Sequence, residues 1–283
     1  MAFPLPLEEN HGEVNSMTSL PFQRSAEFIS SRLGGLRHDI SIVLGSGLGG
    51  FTKDLADKTI LKTNEIPDYP LSRVPGHVGE IISAEIADKR ILVFSGRVHY
   101  YETASTIDAA VTAILSYRLG VKRIVLTNAA GILNEKFFPG DLMLINDQIN
   151  LTFRSVLLDL NIRTKDLKPI YSRSLAAKAF LAAQRASTDL KSGVYLGLTG
   201  PSYETAAEVK FYRRFGGDAA GMSTIHEAAL ASAVGMEVLG ISCLTNYSTG
   251  MSSEKLSHEE VMNVGRNVDE KFSQLLRTIV DLI

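Results

Sequence analysis

Ser41-Ile-Val-Leu-Gly-Ser-Gly-Leu-Gly-Gly50 is the stretch on which the fold turns. A short apolar run ends in a cluster of glycines, as where a buried strand gives way to a loop whose backbone N–H groups can face an anion. The cluster matches G-x-G-x-x-G, the dinucleotide-binding pattern that follows a strand. That pattern also needs a helix opening at the glycines and an acidic residue about 20 positions on. Phe51-Thr-Lys-Asp-Leu is a poor, short helix, and Glu65, at the right spacing, sits in the loop Asn64-Glu-Ile-Pro-Asp-Tyr-Pro70 rather than at a strand end. The glycines therefore read as an anion-binding turn to which Ser46 adds a hydroxyl donor. A dinucleotide-binding Rossmann protein is the rival from another functional class.

The rest of the chain repeats this alternation of strand and helix. A helical pattern runs from Phe22 to Gly34-Gly35, and Glu80 to Ile86 and Arg90 to Ser95 read as strands, the second apolar enough to be buried on both faces. Thr106 to Leu119 carries Ile107, Ala110, Val111, Ile114 and Leu115 at helical spacing, with Gly120 as its stop. Arg123 to Thr127 predicts a strand and Asn128-Ala-Ala-Gly131 a tight loop. Further strands are expected at Leu142–Ile145, Val194–Leu198 and Val238–Leu244, and helices at Ser174–Leu190, Glu204–Arg214 and His226–Val234. A last helix starts at Ser257, which forms a capping-box pair with Glu260, and runs to about Asp281. Such alternation predicts an α/β fold, a central parallel or mixed sheet flanked by helices. No linker or internal repeat divides it, so residues 21–283 are expected to form a single domain, with 1–20 a poorly ordered Pro-, Asn- and Ser-rich segment.

Composition narrows the function. With 283 residues, 45% hydrophobic and 21% charged, the chain can bury a sizeable core. A net charge of −2 gives no support to nucleic-acid or membrane-surface binding, so an anion would need a local pocket. Cys243 is the only cysteine and lies in an apolar run, which favours a packed thiol in a reducing compartment. No Cys/His cluster has zinc-ligand spacing, and no run reads as a signal peptide or membrane span. A cytoplasmic location is expected.

Polar residues gather at several strand ends. In Gly96-Arg-Val-His-Tyr-Tyr-Glu102, an extended backbone turns Arg97 and His99 to one side, where an Arg fork and an imidazole donor can meet one oxyanion. Glu204 in Gly200-Pro-Ser-Tyr-Glu204 lies near a helix N-terminus, where it can serve the dipole or a ligand. Asn246 in Thr245-Asn-Tyr-Ser-Thr-Gly250 can support a turn or donate to a ligand, and His258 falls in the first turn of the last helix. Together they describe a pocket built on strand ends.

These segments, in this order, resemble the trimeric purine nucleoside phosphorylases. The resemblance runs from about Ile42 to Val261 and is strongest at Gly45-Ser-Gly-Leu-Gly, Val74-Pro-Gly-His-Val-Gly79, Gly96 to Glu102, Thr127 to Asp141, Gly200 to Glu208, Gly221-Met-Ser-Thr224, Thr245-Asn246 and His258-Glu-Glu-Val. It implies a single α/β domain around a mixed sheet, with phosphate held by Ser46, Arg97, His99, Ser223 and the backbone at Ala129, and His77 on a nearby loop. Ribose would meet Tyr101, Met222 and His258. The purine would meet Tyr203, Glu204, Thr245 and Asn246. The catalytic groups would be His99, Glu204 and Asn246, with inorganic phosphate as co-substrate and neither metal nor organic cofactor.

The chemistry follows from the residue types. Breaking C1′–N9 builds positive charge on ribose and negative charge on the departing purine. Asn246 can donate to N7, and Glu204 can accept from N1–H, which favours inosine and guanosine over adenosine. Methylthioadenosine phosphorylases carry Asp at the Asn position and no acid at the Glu position, so that alternative fits badly, while a xanthosine phosphorylase stays open. A nucleoside hydrolase would need activated water, and no clustered aspartates suit a metal. The family's trimer closes the ribose site with an aromatic residue from a neighbour. Between Asn150 and Leu175 this chain departs from the family pattern: only Lys168-Pro-Ile-Tyr-Ser172 echoes it, and Phe153 lies too near the preceding strand to be assigned that closing role. A homotrimer is still expected, with Val156-Leu-Leu in need of cover.

Overall fold

Alternate residues along the central strands belong to different hydrophobic cores, and this sets the layering. Ile40, Ile42 and Leu44 join one core and Val43 the other; Ile91 and Val93 oppose Leu92 and Phe94; Val125 opposes Ile124 and Leu126. A strand with apolar residues at both parities must be covered on both faces. The computed structural model describes residues 20–74, 79–163, 168–252 and 258–283, apart from the side chains of 258–263 and 265–267. Its strands are β1 (Ile40–Leu44), β2 (Thr59–Lys62), β3 (Glu80–Ile86), β4 (Lys89–Ser95), β5 (Arg123–Ile132), β6 (Leu142–Asn150), β7 (Leu190–Gly197), β8 (Ala219–Gly221) and β9 (Glu237–Tyr247). Its helices are α1 (Gln23–Arg32), α2 (Tyr100–Thr103), α3 (Thr106–Ala109), α4 (Val111–Arg118), α5 (Val156–Asp159), α6 (Arg173–Arg185), α7 (Ala206–Arg214), α8 (Ile225–Ala233) and α9 (His258–Leu282). Helices α1, α4 and α8 cover one face, and α6 and α9 the other.

The nine-stranded sheet runs β2-β3-β4-β1-β5-β8-β7-β6-β9, and β9 also pairs with β5. Strands β5, β8, β7, β6 and β9 thus close into a ring, while β2, β3, β4 and β1 extend it as an open sheet. The pairing is mixed: β1 is parallel to β4 and β5, β5 to β9 and β6 to β7, whereas β3–β4, β5–β8 and β6–β9 are antiparallel. The α/β fold with a mixed sheet is as the sequence predicts.

Several boundaries differ, each for a physical reason. Asn128-Ala-Ala-Gly131 is no loop: β5 continues to Ile132 because β9 and then β8 offer it ladder partners. Gly45 is what the crossing needs, since a Cβ on it would lie 2.6 Å from the Asn128 Cα of β5. Helix α7 starts after Glu204, because the Thr205 side chain caps it by accepting from Glu208 N. Leu190 opens β7 rather than ending α6, and the expected helix over Thr106–Leu119 is interrupted at Ala110. Val156 is buried and Leu157 packs on the core, so of Val156-Leu-Leu only Leu158 is left open. Residues 1–19, His77 and the Ser257 cap lie outside the described residues, as does the His258 side chain.

Candidate active site

A cavity of about 360 Å³ opens at the ends of β1, β4, β5, β8 and β9. Ser46, Arg97, His99, Tyr101, Ala129, Tyr203, Glu204, Met222, Ser223, Thr245 and Asn246 all line it. Every sequence-predicted site residue whose side chain is described is therefore brought to one place. The Gly-rich turn leads only into a short 3₁₀ turn, Gly49–Thr52, and no helix opens at its glycines. The structural requirement of the dinucleotide pattern is not met.

One group of polar residues forms an anion corner. Arg97 is buried after β4, and its Nη1 donates to Ser223 Oγ at 3.1 Å and Thr224 Oγ1 at 3.2 Å. Asn128 Nδ2 donates to the same Thr224 hydroxyl at 2.9 Å. Thr224 itself has φ 72° and ψ −45°, and Ile225 N donates to Ser223 O at 2.8 Å, closing a three-residue turn of the strained hand. Such backbone costs about 1–3 kcal/mol and persists where surrounding bonds over-determine it. Here it turns the Ser223 hydroxyl toward Arg97 and the cavity.

His99 stands beside this corner with its orientation fixed from behind. Its Nδ1 lies 3.0 Å from Glu102 Oε1, which also accepts from His99 N. Glu102 Oε2 takes bonds from Arg73 N at 2.7 Å and Ser72 Oγ at 3.0 Å. Burial alone would raise the Glu102 pKa, but these donors, His99 first, hold it down at about 2. The carboxylate stays ionised and can only accept, so its bond with the ring puts a proton on His99 Nδ1. The Tyr101 ring stacks on His99 with centroids 4.9 Å apart.

A second group sits at the end of β9. Along the β5–β9 ladder Ala130 pairs with Leu244 and Gly131 with Asn246, so Thr245 is the extra residue of a bulge. Bulges re-aim side chains next to sites, and here both Thr245 and Asn246 reach the cavity. Thr245 Oγ1 donates to Asn246 Oδ1 at 2.8 Å, and Asn246 Nδ2 donates to Tyr247 O at 3.1 Å. The amide is thereby oriented, and its second N–H remains for a ligand. Glu204 lies before α7; burial, and then the charge of Glu208, raises its pKa. A Cβ on Gly200 would overlap Met222 Sδ and crowd the Tyr101 ring, so the loop bearing Tyr203 and Glu204 approaches these two side chains at a point open to glycine alone.

Sequence reasoning missed Asn128, Thr224, Glu102 as the partner of His99, and Glu227, whose carboxylate faces Arg97 at 3.4 Å. A signal existed for the last: Thr224-Ile-His-Glu227 has capping-box spacing, and the box forms. Among the described residues no group of His, Cys, Asp and Glu is arranged to hold a metal, and no helix is long and apolar enough to cross a membrane.

Residues 39–281 match the family model described as the phosphorylase superfamily. Purine nucleoside phosphorylase 1 of Bacillus subtilis is 38% identical over 263 residues, spanning 91% of this chain and 97% of its own. The rat purine nucleoside phosphorylase is 35% identical over 281 residues, 95% of this chain and 97% of its own. Crystal structures of the Schistosoma mansoni purine nucleoside phosphorylase with adenosine and with inosine superpose with TM-scores of 0.84, at 30% and 28% identity, covering 95% of this chain and 97% of that one. Fold, strand-end pocket and matched length agree, and the chain belongs to the purine nucleoside phosphorylase family of the phosphorylase superfamily.

Proposed function

We propose that this cavity binds a 6-oxopurine nucleoside and inorganic phosphate together and converts them to the free base and ribose 1-phosphate. Inosine, guanosine and their deoxy forms are the substrates. The observation that carries the reading is the meeting, in one cavity, of the buried Arg97–Ser223 corner with the oriented Asn246 amide and Glu204.

In this reading Ser46, Arg97, His99, Ser223 and the backbone at Ala129 hold phosphate, with His77 nearby. Tyr101, Met222 and His258 face the ribose, His258 orienting the 5′-hydroxyl. Tyr203 lies against the purine face, while Glu204 accepts from N1–H and Asn246, set by Thr245, donates to N7. As C1′–N9 breaks, its electron pair passes to the purine, where the Asn246 N–H meets the growing charge. A donor aimed at charge that develops only in the transition state is worth about 3–4 kcal/mol. The hydrogen phosphate dianion stabilises the oxocarbenium-like sugar, then an oxygen of it bonds to C1′, and the proton that this phosphate gives up leaves on the base. No step calls for a metal or an organic cofactor.

A homotrimer in a reducing, cytoplasmic setting completes the proposal. Phe153 is 85% exposed and Leu158 80% exposed on the segment that departs from the family pattern, which supports contact with a second copy there. Light scattering tests this, since a mass of one or two subunits would refute the trimer. The activity test is to incubate inosine with and without phosphate. Hypoxanthine should appear with phosphate, with ribose 1-phosphate as co-product, whereas equal release in phosphate-free buffer means hydrolysis.

A further inference from the structure

Resting on that reading, we infer that Glu227, a buried carboxylate outside the lining of the cavity, is a positioning residue for phosphate, setting both the Arg97 guanidinium and the turn that presents Ser223. Glu227 sits on α8, one turn past Thr224, with its side chain 1% exposed against 2% for Arg97. Its two oxygens serve three elements. Oε1 accepts from Thr112 Oγ1 of α4 at 2.7 Å. Oε2 accepts from Thr224 N at 3.1 Å and lies 3.4 Å from Arg97 Nε.

The consequence is geometric. An arginine buried to this degree is held against a compensating charge, and that charge fixes which edge of the fork is used. With Nη1 bonded to Ser223 and Thr224, Nη2 to Val43 O, and the Glu227 carboxylate ion-paired 3.4 Å from Nε, the guanidinium plane is set relative to the cavity before any anion arrives. The same oxygen that meets Nε also holds the strained backbone of Thr224, so arginine and serine are aligned by one atom. Thr112, remote from the cavity lining, anchors the other oxygen and stops the carboxylate from rotating. Glu227 acts on phosphate only through these neighbours.

The test compares Glu227→Gln, Thr112→Val, Arg97→Ala and Arg97→Ala/Glu227→Gln with the wild type, varying phosphate at saturating inosine and measuring hypoxanthine affinity by calorimetry. Glu227→Gln should lower kcat/KM for phosphate by about tenfold or more with hypoxanthine affinity unchanged, and Thr112→Val should do the same by about threefold. The double variant should be no worse than Arg97→Ala, because a residue acting through Arg97 has nothing further to lose. Should Glu227→Gln fail to fold, Thr112→Val and the double variant, which removes both buried charges, still decide. Unchanged phosphate kinetics in Glu227→Gln, an equal loss of hypoxanthine affinity, or losses that multiply in the double variant would overturn the positioning role. A wild type without phosphate-dependent cleavage would overturn the proposed function itself, and this inference with it.

Discussion

At the anion corner Arg97 and His99 are buried, and each meets a carboxylate, Glu227 or Glu102, that is itself held by further donors. At the base end Glu204 is half-buried in an irregular loop, and Tyr203 beside it is 43% exposed. Both ends line one cavity, but they are held to different degrees. Phosphate presents the same oxygens at every turnover, so donors fixed in advance lose no entropy on binding it. The base end leaves Glu204 and the second Asn246 N–H to complete their bonding with the ligand. Only Asn246 there is fixed beforehand, by the Thr245 bulge.

The sharpest way to break this contrast is Arg97→Ala. Phosphate kcat/KM should fall by about 10²- to 10³-fold, with far less change in nucleoside affinity. The protein should also lose about 3–5 kcal/mol of stability, because Glu227 is left buried without its counter-charge. Adding Glu227→Gln should return part of the Tm without returning activity. An unchanged phosphate dependence in Arg97→Ala would place the anion elsewhere.

At the base end Glu204→Gln should cost about a hundredfold in kcat/KM for inosine and little in phosphate KM. The wild type adds a pH signature. Ionised Glu204 is the stronger acceptor for N1–H, and burial raises its pKa. On acidification it is therefore protonated at a higher pH than an ordinary glutamate, and kcat/KM for inosine declines there. The Gln variant should lack this acid limb; retention of the limb would assign it to another group.

Asn246→Asp should reduce inosine phosphorolysis by about tenfold and raise adenosine activity relative to inosine. A protonated carboxyl there would donate to N7 and accept from the 6-amino group. If adenosine gains nothing relative to inosine, Asn246 does not set base choice. The smallest effect belongs to Leu158→Ala: an exposed side chain outside the cavity lining should change nucleoside KM by less than about twofold. A large KM rise would show that this leucine, from a neighbouring subunit, closes the ribose site.

Much of this was legible because it is local. Apolar runs at Ser41–Leu44, Arg90–Ser95 and Val238–Leu244 announced buried strands, and the polar residues directly after them announced a strand-end pocket. Gly34-Gly35 and Gly120 marked real helix stops, each at positive φ. The strand at Asn128–Gly131 was not legible. Small residues signal a turn unless ladder partners are known, and here they come from β8 and β9, far along the chain. The role of Thr245 was hidden for the same reason, since a bulge exists only relative to its partner strand.

The sequence by itself determined the α/β class, the family and the residue types at the ends of β1, β4 and β9, because these depend on periodicity and on short motifs carried within a few residues. Only the tertiary structure decided that β5 runs on and that β9 returns to it to close a ring. It alone showed that Thr245 is a bulge that orients Asn246, and that Glu227 faces Arg97 across 3.4 Å. The physical reason is that pairing and burial are properties of two segments at once. A carboxylate on α8 becomes a counter-ion only when packing brings it against an arginine that burial has removed from water.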